Sequence, residues 1–227
     1  MDVVTLEHSQ HPEILQKPTV EVAFPLSFET LQLIDDMKAL FIKLNGVGLA
    51  APQVGSPQNI FVYRITQEQN RLRSDATREV PLTVLVNAHY APTSDATITY
   101  DWEACFSVAE HTGKVPRYSK IQYYAFTPEG QPIHAIAEGF EARVLQHEID
   151  HLQGILIIHR LTKDCIQGHP DDVLHLRYQD LDNTQIDIAK KLLEDRLKHT
   201  AENDIAALNY IHKALQIIAN ITEARQS

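Results

Sequence analysis

Apolar residues recur every three to four positions after Pro25, at Leu31, Ile34, Met37, Phe41 and Leu44, which predicts a helix. Ser27 is placed to cap its start, and Asn45-Gly46 suits a left-handed C-terminal end. After a Gly-rich turn the pattern changes to short runs rich in β-branched and aromatic residues. Asn59–Ile65, Leu82–Val86, Thr97–Tyr100, Lys120–Phe126 and Pro132–Ala137 are read as strands. The polar stretch 67–79 reads as a loop insertion. Glu141–Leu152 predicts a second helix, ended by Gly154, and Ile155–Ile158 a short strand-like run. Near Leu161 the character shifts, with a breaker cluster at Gly168, His169, Pro170 and Asp171. Beyond it, Ile186, Ala189, Leu193 and Leu197 mark one amphipathic helix, and Ile205, Leu208, Leu215 and Ile218 another. These are expected to form a helical hairpin that packs on the body or on a second copy.

Composition narrows the function classes. The chain of 227 residues carries a net charge of -10, which argues against a protein whose main work is gripping phosphate backbones. Residues 161–227 hold 8 Lys+Arg and 11 Asp+Glu, so the tail is acidic and not a basic arm. No apolar run approaches the roughly 18–20 residues needed to span a bilayer. The start, MDVVTLEHSQHPEIL, lacks a basic segment followed by an apolar run, so a cytoplasmic location is expected. Two cysteines, Cys105 and Cys165, against twelve histidines are too few for a disulfide scaffold.

The strongest chemical signal is Gln146-His147-Glu148-Ile149-Asp150-His151. On a helix, positions i and i+4 share a face. Two imidazoles there can hold one metal ion, with the intervening Glu aimed at a water. Phe140, Val144, Leu145 and Leu152 flank the segment, so it is expected to be buried. The alternative is a pair of core histidines held by hydrogen bonds. A third ligand is needed; downstream His159, His169 and His175 stand at no persuasive spacing, whereas Cys105 lies upstream in Glu103-Ala104-Cys105-Phe106-Ser107. A thiolate suits a borderline or soft metal, although a lone cysteine also serves as a small core residue. The segment Gly46-Val47-Gly48-Leu49-Ala50-Ala51-Pro52-Gln53 lacks the features of a phosphate loop. It reads better as an edge along which an extended peptide pairs.

Taken together, GVGLAAPQ at 46–53, EACFS at 103–107 and QHEIDH at 146–151 resemble the three motifs of the peptide deformylases. These are Gly-x-Gly-x-Ala-Ala-x-Gln, Glu-Gly-Cys-Leu-Ser and Gln-His-Glu-x-x-His. Val115-Pro116-Arg117 adds to the likeness, which covers residues about 10–162. The resemblance implies an α+β fold of mostly antiparallel sheets around a central metal-binding helix, with residues 1–162 as the catalytic domain and 163–227 as a helical C-terminal extension. It implies that Cys105, His147 and His151 hold one divalent metal ion, iron(II) by family habit, with zinc, nickel or cobalt also fitting. Glu148 would move the proton, while Gln53 and the backbone N–H of Phe106 would stabilise the developing oxyanion. Val47 and Gly48 would pair with the substrate backbone. Phe140 and Val144 would line the pocket for the methionine side chain. Glu103, Arg117 and Asp150 would form a charge cluster orienting the ligands, the alternative being a surface ion network worth little.

The implied activity is removal of the formyl group from N-formylmethionyl peptides during protein biosynthesis. The acidic tail speaks against the basic-helix ribosome docking of some members. It leaves ribosome contact by another route, and a homodimer through the C-terminal helices, as expectations; no membrane association is expected. Three departures stand out: Ala104 replaces Gly, Phe106 replaces Leu, and Asn87-Ala88 stands where the family has Asn-Pro. If Ala104 required a positive φ, it would be strained. Two rival readings follow, a deformylase-like hydrolase with another N-acyl substrate and a non-catalytic binding module.

Overall fold

The structure is a computed structural model and describes residues 1–73, 75 and 78–226. Helix α1 spans Phe28–Leu44, and the predicted caps are in place. Ser27 Oγ accepts the Thr30 N–H at 3.2 Å, and Asn45 takes φ 51 in the left-handed region. Such an N-cap is worth about 1 kcal/mol. Ile34, Met37 and Phe41, three of the five periodic positions, are buried. Strand β1, Gly48–Ala50, runs into a 3-10 turn at Ala51–Val54, and β2 follows at Ile60–Ile65.

The polar stretch read as a loop contains a short helix, α2 at Gln67–Arg71. Thr66 and Gln69 cap it reciprocally, which is the local signal that a composition-based reading overlooks. Residues 74, 76 and 77 of that stretch lie outside the described residues.

Strand β3 runs from Val80 to Pro92 and β4 from Ile98 to Cys105, both longer than their apolar cores suggested. Strand β5, Val108–Tyr118, had no predicted counterpart. Strands β6 (Lys120–Phe126) and β7 (Pro132–Glu138) match their runs closely. Helix α3 covers Gly139–Leu152. Ile155–Ile158 corrects the reading of a strand, because Ile157–Arg160 forms the helical turn α4. A short apolar run does not by itself distinguish strand from helix. After β8 at Gln167–Gly168, the breaker cluster starts a helix instead of a loop. Pro170 occupies the first turn of α5, Pro170–Gln179, and the His169 ring accepts the Asp171 N–H. Helices α6 (Asn183–His199) and α7 (Ile205–Gln226) follow.

The fold is α+β. An antiparallel sheet in the order β1-β2-β3-β6-β7 and a second sheet in the order β4-β5-β8 enclose α3, which packs against strands of both. Burial around α3 is nearly complete, from Phe140 to Leu152 with His147 alone half-buried. The sheet has a register shift between Val86 and His89, where Asn87 takes φ 53. Its side chain bonds both backbone groups of Val22, at 2.8 and 2.9 Å. Asn87 thus ties the N-terminal segment to the sheet in the Asn-Ala sequence that replaces Asn-Pro.

The apolar stripes of the tail face one another. Leu174 and Tyr178 of α5, Ile186, Ala189 and Leu193 of α6, and Ile211, Ala214 and Ile218 of α7 form one buried cluster. The expected hairpin is therefore a three-helix unit. It docks on the body through Asp180, which accepts from Trp102 Nε1 at 2.6 Å and pairs with Lys114 at 2.7 Å.

Candidate metal centre

Helix α3 carries His147 and His151 one turn apart, and the end of β4 brings Cys105 to them. One ligand atom from each of the three lies within 4.8 Å of the others. Cys105 Sγ is 3.2 Å from His151 Nε2. His147 Nδ1 faces Glu103 Oε2 at 2.9 Å, which leaves its other nitrogen for the cluster. A thiol and two imidazoles suit a divalent transition ion, and three protein ligands leave a coordination position open. His159, His169 and His175 are outside this group. The His159 and His169 rings serve instead as local acceptors for backbone N–H groups. Cys165 is a free, half-buried thiol beside Thr162.

The electrostatics of the pocket suit a cation. Burial opposes charge on His147, yet Cys105 and Glu103 beside it draw it toward the protonated form. Burial, with His147 and Arg117 nearby, pushes His151 toward the neutral form. The His147 ring thus lies between the Cys105 sulfur and the Glu103 carboxylate. His151 Nδ1 and Glu148 Oε2 are buried without hydrogen-bond partners among the described residues. Orphaned polar atoms of this kind at a buried site call for an occupant.

Glu148 is buried, and burial pushes its carboxyl up to about 7. It lies against β1: a Cβ on Gly48 would come 2.1 Å from its Oε1 and 2.8 Å from its Cγ. Gly48 is therefore required by close approach and not by backbone angle. Gly48→Ala is expected to push Glu148 off its position and lower kcat about 100-fold, in line with displacing a positioned acid–base group. Steady-state kinetics would show this; retention of half the rate would mean that Glu148 has room to move without consequence.

Gln53 is also buried. Its Oε1 accepts the Ala50 N–H at 2.8 Å, which orients the amide so that Nε2 donates to Ser107 Oγ at 3.2 Å and faces Cys105 Sγ at 3.7 Å. Ser107 N–H points back to the Cys105 sulfur at 3.4 Å. Ala104 does not lie in the left-handed region, since the positive-φ residues other than glycine are Asn45 and Asn87 among the described residues. The replacement of Gly therefore carries no strain there. Phe106 is partly exposed, and its ring covers Gly46, where an added Cβ would lie 2.6 Å from Cε2.

The charged residues of the ligand motifs are deeply buried: Glu103, Arg117 and Asp150 are each at most 7% exposed. Arg117 grips Glu103 through two bonds of 2.9 Å and also binds Asp150. Arg143 adds a bond to Glu103 at 2.8 Å, and Arg160 two to Asp150, at 2.5 and 3.0 Å. Burial alone would raise the Glu103 carboxyl, but Arg117, together with His147, holds it well below its ordinary value. The anion so maintained fixes the His147 ring, as a carboxylate does behind a metal-binding imidazole. Sequence reasoning missed Arg143 and Arg160. The available signal for Arg143 was its place one turn before His147, a charge inside a helix otherwise flanked by apolar residues.

Val47, Gly48, Gln53, Ala104, Phe106, Phe140, Val144, His147 and Glu148 line one cleft of about 310 Å³. The structure thus brings Val47 and Gly48, the apolar positions Phe140 and Val144, and Cys105 and His147 of the cluster to one opening.

The chain matches the polypeptide deformylase family model over residues 2–167. It is 42% identical to peptide deformylase 2 of Pseudomonas putida over 145 residues, 64% of this chain and 79% of that protein. It is 45% identical to peptide deformylase 1 of Bordetella pertussis over 138 residues, 60% and 76% of the two chains. Among solved structures, it is similar to the Met-Ala-Ser-bound class I type b peptide deformylase of Acinetobacter baumannii. That likeness has a TM-score of 0.60 and 30% identity, covering 70% of this chain and 98% of the other. The family match runs through all three motifs and stops just short of α5, so this chain belongs to the peptide deformylase family and carries three further helices beyond the matched region.

Proposed function

We propose that Cys105, His147 and His151 hold one divalent metal ion, and that Glu148, Gln53 and the Phe106 N–H act around it on an N-formylmethionyl peptide. The chain is a peptide deformylase, a metal-dependent hydrolase of the formyl amide. The observation that carries the residue assignment is the convergence of the three ligand atoms beside a cleft lined by Cys105, His147 and Glu148, whose Oε2 is buried and unpartnered among the described residues. Iron(II) is the proposed metal, with zinc, nickel or cobalt able to take the same donor set. When bound, the ion supplies Lewis-acid polarisation of the formyl oxygen and acidifies water.

The protein groups do the rest. Val47, just before β1, and Gly48 at its start offer backbone pairing to the peptide, which fixes the formyl end in the cleft. Phe140 and Val144 take the methionine side chain. Gln53 Nε2, held by Ala50 and directed toward the Cys105 side of the cleft, donates to the carbonyl oxygen as negative charge develops. The Phe106 N–H is the second donor. Removing one donor of this kind typically costs roughly 3–4 kcal/mol of barrier. Glu148 accepts a proton as the water attacks and delivers it to the amine that leaves. Its buried site, with a pKa near neutrality, suits both transfers. Glu103, anchored by Arg117 and with Asp150 on the far side of that arginine, orients His147.

Residues 1–162 are proposed as the catalytic unit and 163–227 as a helical extension. No helix among the described residues is long and apolar enough to cross a membrane, and a cytoplasmic site of action is proposed. Because the tail is acidic, contact with the ribosome would not use a basic helix; a homodimer through the tail would have to use its outer faces, since its main stripes are covered within the chain. The complete set of ligands, buried carboxylate and amide supports hydrolysis over a non-catalytic role, and the tolerated backbone at Ala104 supports the formyl substrate over another N-acyl group. Metal-loaded protein is expected to release formate from formyl-Met-Ala-Ser, measured by a coupled formate assay. Absence of formate at full iron(II) occupancy, with a control deformylase active, would falsify the assignment.

A further inference from the structure

We propose that the C-terminal helices give the active-site cleft a second, cationic chamber, in which Arg177 recognises a carboxylate at the end of a ligand's first side chain. The inference rests on the reading of the cleft as a deformylase site and adds a specificity determinant to it.

A cavity of about 510 Å³ lies between the catalytic body and the tail. It shares Val47, Gln69, Arg73, Trp102, Phe140 and Arg177 with the metal-bearing cleft, so the two spaces adjoin along these residues. Arg73 stands at this junction, its guanidinium 4.2 Å above the Phe140 ring. The rest of the wall combines Tyr100, Asp101 and Lys114 of the body with tail residues that include Tyr178 and Tyr210.

The charges in the wall do not balance. Arg73 pairs with Asp101 at 2.7 Å, and Lys114 pairs with Asp180 at 2.7 Å. Arg177, half-buried on α5, has no hydrogen bond or ion pair among the described residues. It lines both spaces together with Arg73, on which its charge acts unfavourably. A guanidinium partly removed from water with a second one nearby is short of an anion. A single uncompensated positive charge matches a singly charged carboxylate, which a guanidinium grips with two parallel bonds. Phe140 lines both spaces whereas Val144 lines only the metal-bearing cleft, so with methionine seated against these two residues as proposed above, a group that meets Arg177 belongs to a longer side chain. The ligand class is a peptide whose first residue carries a carboxylate at the end of a chain of three or four methylenes.

The test compares 2-aminoadipyl-Ala-Ser and 2-aminopimelyl-Ala-Ser with their neutral side-chain amides, which keep length and shape. Binding of the deformylated peptides to the metal-loaded full chain is measured by calorimetry, and kcat/KM is measured for the formylated ones. For at least one length, the carboxylate form is expected to bind about tenfold tighter than its amide, the usual size of a charged hydrogen bond. The preference should shrink at high salt. Arg177→Gln should bring the ratio to within twofold, and Arg177→Lys should restore part of it. A loosened tail would weaken both peptides equally and leave the ratio unchanged. A ratio near one in the wild-type chain at both lengths, or one that survives Arg177→Gln, overturns the proposal. Formyl-Met-Ala-Ser is run in parallel: if it releases formate while the ratio is absent, only the chamber reading fails. If it releases none, the activity reading fails, and the calorimetric ratio still decides the chamber.

Discussion

Glu148→Ala is expected to retain the metal and lose about 10³-fold in kcat, within the range for removing a positioned proton-transfer group. The carboxylate sits one residue after His147 on a buried helix, so its side chain leaves the helix on a face different from that of the two imidazoles. Its Oε1 side is pressed against Gly48, and its Oε2 has no protein partner among the described residues. The group is therefore held in place by packing and not by a hydrogen bond to the protein, which leaves it available to substrate and water. Elemental analysis alongside kcat distinguishes loss of proton transfer from loss of metal. Glu148→Gln, which keeps the shape, should fall as far as the alanine variant; a rate near wild type in either would remove Glu148 from the mechanism.

Arg117→Leu is expected to have the largest effect on stability. Arg117 is the central cation between Glu103 and Asp150, and all three are buried. Its removal leaves Glu103 to Arg143 and His147 and Asp150 to Arg160. Breaking a buried pair from one side typically costs 3–5 kcal/mol, or roughly 6–20 °C in Tm for a chain of this size. Two carboxylates would then be pushed toward protonation, and the hold on His147 would weaken. Metal affinity is expected to fall roughly 10–100-fold with it. Arg117→Lys keeps the charge but not the fork and should fall between. Calorimetric unfolding and metal titration measure the two effects separately. An unchanged Tm in the leucine variant would mean that Arg143 and Arg160 suffice.

The site was legible in sequence where its chemistry is local. The four-residue spacing of His147 and His151 is a property of one helix, and the apolar flanks announce that this helix is buried. The caps of α1 and the runs of β2, β6 and β7 are local in the same sense. Strand β5 was not legible, because Gly113, Lys114, Pro116 and Arg117 break the apolar pattern. It is held by pairing with β4, with Tyr100 opposite Pro116. The helical turn at Ile157–Arg160 and helix α5 were missed because short runs and breaker residues have more than one outcome, and neighbouring structure selects among them.

By itself the sequence determined the ligand-bearing helix, the motif that offers Cys105, and the acidic, helical character of the tail. Only the tertiary structure decided that Cys105 meets the two histidines and that Glu103 lies behind His147, 44 residues away along the chain. The tertiary structure also decided that Arg143, 40 residues beyond Glu103, shares its charge, and that the tail closes a chamber beside the cleft. Periodicity reports which side of an element faces inward. Which groups meet there depends on how separate elements pack, and that is settled by the shape and charge of the assembled core.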